Sequence, residues 1–106
     1  MNYRVELTRL ASTSLREIRW YISEKLKNPI AAKNIYNKIM KQIKDLKYHP
    51  YLFPLVDNER FNGDEVRFFP VGNYIVYYSV DEQSKAVRIL KVSGAAQSPE
   101  HRLDGI

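Results

Sequence analysis

Seventeen lysines and arginines, two histidines and no cysteine bound the chemistry open to this 106-residue chain. Without a thiol there is no cysteine nucleophile, no zinc thiolate and no disulfide. His49 and His101 are the only histidines, and no acidic pair has metal-ligand spacing, so neither a metal site nor a cofactor is expected. Phosphate chemistry remains open. Attack of a 2′-hydroxyl on its phosphodiester needs a base for the hydroxyl proton, an acid for the leaving oxygen and cations for the phosphorane. The candidates are Arg67, Arg88, Lys91, His101 and Arg102. Arg88 and Lys91 stand three apart in a strand-like run, so opposite faces are expected for them. His101 and Arg102 lie in a polar tail. His49 precedes Pro50 at a helix end, where a charge interaction with the helix terminus accounts for it.

Docking is the competing use of these residues. The run VRFFPVGNYIVYYSV, Val66 to Val80, carries Tyr74, Tyr77 and Tyr78 among apolar neighbours. Alternation puts Ile75 and Tyr77 on one side of the strand, and Tyr74, Val76 and Tyr78 on the other. Both sides are apolar, yet the chain offers only two helices to cover them. An exposed second face is therefore expected, and such patches mark partner sites. Trp20 lies opposite the Ile18/Ile22 stripe. Either the Tyr51–Leu55 loop covers it or it anchors a partner, as tryptophan often does. Arg67 and Arg88 are the cations expected beside that surface. For Arg67 the alternative is an edge-strand charge that discourages aggregation.

The elements that must position these groups follow from periodicity. NYRVELT alternates Tyr3, Val5 and Leu7 as a short strand, and Thr8 stands as a helix N-cap. Ala11, Leu15, Ile18, Ile22 and Leu26 form one helical stripe. Asn28 and Pro29 open a second helix, with Ala32, Ile35, Ile39, Ile43 and Leu46 inward and Lys33, Lys38, Lys41 and Lys44 outward. A loop follows, with Pro50, Pro54 and the pair Asn62-Gly63; Tyr51, Leu52, Phe53 and Leu55 are expected to pack it over a helix end. Strands are expected over Glu65–Phe69, Tyr74–Val80 and Lys85–Ser93, with turns at Gly72-Asn73 and Asp81–Ser84. Residues 94–106 read as a loosely held tail. The fold class is α+β in the order β-α-α-β-β-β: one domain over residues 1–106, with a helical hairpin on one face of a small, mostly antiparallel sheet.

Charge is uneven along the chain. Residues 1–49 carry eleven lysines and arginines against four acids, whereas residues 50–106 carry six against eight. The basic half points to an acidic partner or to a solvated helix face. The start of the chain lacks the apolar core of a signal peptide, and no apolar run approaches the ~20 residues that span a bilayer. A cytoplasmic protein without a membrane partner is the expectation.

Taken in order, YRVELTRLASTSLREIRWYI, NPIAAKNIYNKIMKQIKDLKYHP and VRFFPVGNYIVYYSVDE…VRILKV resemble toxins of the bacterial RelE/ParE superfamily of type II toxin–antitoxin systems. The resemblance covers residues 3 to about 93. It implies the β-α-α-β-β-β fold and neutralisation by a cognate antitoxin whose C-terminal segment wraps helices and sheet; the basic half and the unmatched aromatic face lead us to expect that segment to be acidic and amphipathic. One branch of the superfamily cleaves messenger RNA in the ribosomal A site; the ParE-like branch poisons DNA gyrase. Ribosome-dependent relatives place an arginine where this chain has Ile75, and a basic residue after the last strand's glycine, where Gly94 is followed here by Ala95, Ala96 and Gln97. Both departures favour the ParE-like reading. The ribosome-dependent nuclease, and a non-toxic relative that only binds antitoxin, are the alternatives.

Overall fold

The computed structural model describes residues 2–56, 65–95 and 102–106. Strand β1 (Arg4–Leu7) leads into helix α1 (Arg9–Trp20), a π-helical turn (Tyr21–Lys25) and helix α2 (Pro29–Asp45). Strands β2 (Arg67–Val71), β3 (Tyr74–Asp81) and β4 (Ala86–Gly94) complete the chain. The four strands lie in the order β1-β4-β3-β2, with β1 parallel to β4 and the other pairs antiparallel.

Both helix starts form as their sequences require. The Thr8 hydroxyl accepts from the Ala11 amide at 3.1 Å and donates to the Leu90 carbonyl, which joins the cap to β4. The Asn28 side chain accepts from the Ala31 amide at 3.1 Å, and Pro29 sits where an amide would have no partner. Strand β2 runs two residues later than expected, through Pro70 to Val71. An edge strand tolerates that proline because one side of its ladder is free.

The helices bury one sheet face. Ala11, Leu15, Ile39, Ile43 and Leu46 pack on Phe69, Val76, Tyr78, Val87, Ile89 and Val92. Leu26 was expected to extend the α1 stripe but is exposed. The π turn explains this. Its Leu26 amide bonds to the Tyr21 carbonyl, five residues back, so the apolar stripe slips out of register after Ile22. Lys27 then closes the hairpin in the left-handed region at φ 53°.

Ser14 ties α1 to the sheet. Its buried hydroxyl donates to the Ala11 carbonyl at 2.9 Å and accepts from the Val92 amide at 3.1 Å. Ser14→Ala strands that buried amide, and the expected cost is about 1–3 kcal/mol in denaturant unfolding. A midpoint equal to that of the parent chain refutes the assignment.

The second sheet face is not open. Val66, Tyr77 and Leu103 form a further buried cluster, with Val56, Phe68, Ile75, Leu90 and Ile106 packed against it. The chain's own C-terminal residues supply the missing cover. The Ser93 hydroxyl donates to the Arg102 carbonyl at 2.6 Å, and the Lys91 ammonium donates to the Asp104 carbonyl at 2.9 Å. The loosely held tail is thus corrected for residues 102–106; residues 96–101, with His101, lie outside the described residues, as does the Asn62-Gly63 pair. Gly105 holds φ 89°, and a Cβ there would meet Leu10 at 2.9 Å. Gly105→Val is therefore expected to lift the cover. Binding of a dye specific for exposed apolar surface should rise several-fold, and unchanged dye binding contradicts the assignment.

Candidate functional site

Strand β1 pairs with Ala86–Ile89, so among the described residues the C-terminal half of β4 has no strand neighbour on that side. A cleft of about 640 Å³ opens there. Its walls include Glu17, Trp20 and Tyr21 from the end of the first helix, Tyr74 from β3, and Lys91 and Gly94 from β4. Trp20 is 56% exposed and Tyr21 50%. The Tyr51–Leu55 loop does not cover Trp20. Instead Phe53 stacks on Phe69 at 4.5 Å, while Tyr51, Leu52 and Leu55 stay exposed. A shallower depression formed by Thr13, Arg16, Glu17 and Trp20 continues the surface along α1.

Two of the expected binding residues, Trp20 and Tyr74, meet in this cleft. Tyr21, Glu17 and Asn73 join them unforeseen, although the adjacent aromatics of Trp20-Tyr21 were a visible signal. Chemically the site is a partly apolar slot with one carboxylate, beside an edge of β4 whose Val92 amide and Leu90 carbonyl are already held by Ser14 and Thr8. It suits an extended segment of another chain.

Tyr77 and Tyr78 are withdrawn from any open surface. Tyr78 is fully buried under the helices, with its hydroxyl donating to the Pro50 carbonyl at 2.8 Å. Tyr77 is 5% exposed beneath the C-terminal cover. Burial pushes the phenols of Tyr74, Tyr77 and Tyr78 above their ordinary value of 10.0. Above that value the unfolded chain loses protons that the native state keeps. Stability is therefore expected to hold below about pH 10 and to fall as pH rises further. Urea midpoints measured across that range check this, and a flat profile refutes it.

The candidate cations among the described residues bond to groups of their own chain. Arg67 donates to the Phe53 carbonyl at 2.7 Å, lies 5.1 Å from the Tyr51 ring centre and faces Glu65 at 3.8 Å. It pins the loop after α2. Arg88 bridges Asp81 at 3.0 Å and Glu6 at 3.4 Å. The Glu6 and Asp81 carboxyls are held below their ordinary range, Glu6 chiefly by the bond from Arg4 and Asp81 chiefly by that from Ser84, with Arg88 adding to both. Arg102 donates to the Ala95 carbonyl. Arg88 and Lys91 were expected on opposite faces. The register shift between Tyr77 and Tyr78 makes Leu90 an extra residue, so that Arg88 pairs with Ser79 and Lys91 with Tyr77. Both then point to the second face. Among the described residues no three His, Asp or Glu side chains gather as metal ligands, and no helix is long and apolar enough to cross a membrane.

A family model described as "ParE toxin of type II toxin-antitoxin system, parDE" matches residues 5–99. The chain belongs to the ParE toxin family. Solved structures agree on the fold. The chain resembles the chromosomal ParDE toxin–antitoxin system of P. aeruginosa at TM-score 0.70 and 20% identity, over 87% of this chain and 95% of that one. It resembles the RelBE2 toxin–antitoxin complex of Mycobacterium tuberculosis at TM-score 0.64 and 21% identity, over 92% and 95%. It resembles the archaeal RelE-RelB complex of Pyrococcus horikoshii at TM-score 0.61 and 24% identity, over 92% and 100%. A search of curated protein sequences finds no match. This ParE-family toxin therefore shares its helical hairpin and four-stranded mixed sheet with both ParE and RelE folds.

Proposed function

We propose that this toxin acts in the cytoplasm by protein–protein contact on DNA gyrase, and that a cognate antitoxin silences it by seating a segment in the Trp20–Tyr74 cleft. The observation that carries this reading is the state of the cations. Arg67, Arg88, Lys91 and Arg102 each make bonds to carbonyls or carboxylates of their own chain. A nuclease needs cations aimed at a phosphate; these are aimed inward. The antitoxin segment would lie in the cleft against Trp20, Tyr74 and Gly94, with acidic side chains matched to Arg16 on the adjoining depression.

One observation favours the second reading, a ribosome-dependent endoribonuclease. The bulge at Leu90 brings Arg88 and Lys91 to one face, where Arg102 also packs. Expression of the toxin without antitoxin separates the two. Gyrase-linked double-strand breaks and a DNA-damage response are expected. Codon-phased cuts in messenger RNA, mapped by primer extension with DNA intact, overturn the gyrase reading. Normal growth with folded toxin present identifies a relative that only binds antitoxin.

A further inference from the structure

The outer face of α2 carries charge that the cleft does not use. Lys38, Lys41 and Lys44 stand three apart on α2, and Lys47 continues the spacing into the turn that follows. On a helix that interval makes a diagonal row, each step rising about 4.5 Å and turning about 60°. Lys38, Lys41 and Lys44 are exposed. Like charges at this spacing repel and cost helix stability. Among the described residues one carboxylate answers them: Asp45 binds the Lys41 ammonium at 3.1 Å. Among the described residues, Lys38 and Lys44 have no ion-pair partner. The helix dipole accounts for Lys44 in the last turn but not for Lys38.

A groove of about 500 Å³ runs beside the row, between Tyr36, Asn37, Met40 and Tyr48. Its aromatic faces already carry cations: Arg19 lies 5.1 Å from the Tyr36 ring centre and the Lys47 ammonium 4.9 Å from that of Tyr48. Those rings are thus cation seats rather than anchors for a peptide's apolar side chains. Lysine ammoniums on flexible stems bind phosphates as point charges, without the fixed geometry that reading a particular base would need.

We infer that the Lys38–Lys47 row binds the sugar–phosphate backbone of a nucleic acid without reading its sequence. This surface is separate from the Trp20–Tyr74 cleft and would hold the toxin on nucleic acid beside its target. The acidic antitoxin is the rival occupant.

The test uses the full chain and fluorescence anisotropy on labelled 20-base-pair DNA and RNA duplexes over a salt series. With three to four lysines on phosphates, log affinity should fall against log salt with a slope of about −3 to −4. Each Lys→Gln change at 38, 41, 44 or 47 should reduce that slope by about one, equally for unrelated sequences. Asp45→Asn, which frees Lys41, should raise affinity a few-fold and keeps the test open should the quadruple variant fail to fold. Loss on DNA alone or on both duplexes tells which backbone is held. An unchanged slope in the folded quadruple variant, absence of binding at low salt, or a loss confined to antitoxin affinity overturns the inference.

Discussion

Tyr78→Ala is expected to unfold most of the protein. Tyr78 is completely enclosed, meets the Phe69 ring edge-on at 5.9 Å and donates to the Pro50 carbonyl at 2.8 Å. Truncating a buried aromatic costs about 3–5 kcal/mol. Orphaning a carbonyl adds about 1–3 kcal/mol. Domains of this size are stable by only about 5–15 kcal/mol, so the sum consumes much or all of the margin. Tyr78→Phe separates the two contributions. It keeps the ring and loses the hydrogen bond, so it should cost about 1–3 kcal/mol and leave a cooperative transition. Chemical denaturation followed by circular dichroism measures both. A Tyr78→Ala midpoint close to the parent's contradicts the placement of this ring in the main core.

Trp20→Ala should act in the opposite way, hardly on folding and strongly on binding. More than half of the side chain is exposed, so stability should change by about 0.5 kcal/mol or less. If the cleft seats the antitoxin, Trp20 is its largest aromatic wall. Truncating a hot-spot tryptophan costs about 2 kcal/mol or more, an affinity loss of about 30-fold upward. Calorimetric titration with the antitoxin reads this directly. A dissociation constant unchanged from the parent's moves the docking surface elsewhere. Such a result leaves the ParE-family membership untouched and removes only the cleft as its binding site.

Local signals carried most of the fold. Thr8 and Asn28 were legible because a cap needs one side chain and one nearby amide. The helical stripes were legible to Ile22, and the β-β-β meander within a few residues. What escaped was structure made by distant parts meeting. The π turn leaves no composition signature in YISEK, so Leu26 was misplaced. The Leu90 bulge carries no glycine, so counting by twos failed beyond Ile89 and separated Arg88 from Lys91. The cover over Tyr77 failed to register because its tail is small and polar apart from Leu103 and Ile106, three apart. Those two apolar residues were its only trace. Of the site, Trp20 and Tyr74 could be named singly. Their convergence depended on where β1 stops along β4, which no residue type encodes.

That pairing has a kinetic consequence. Arg4 lies opposite Ala86, so the first strand waits for the last one before its ladder can close. Strands β2 to β4 join through short turns and can zip up locally, while docking of β1 requires a long loop to be closed first. During synthesis the helical hairpin emerges long before the residues that bury its apolar stripe. The nascent toxin therefore remains incomplete until nearly the whole chain has left the ribosome, and that interval is open to capture by whatever recognises the bare hairpin.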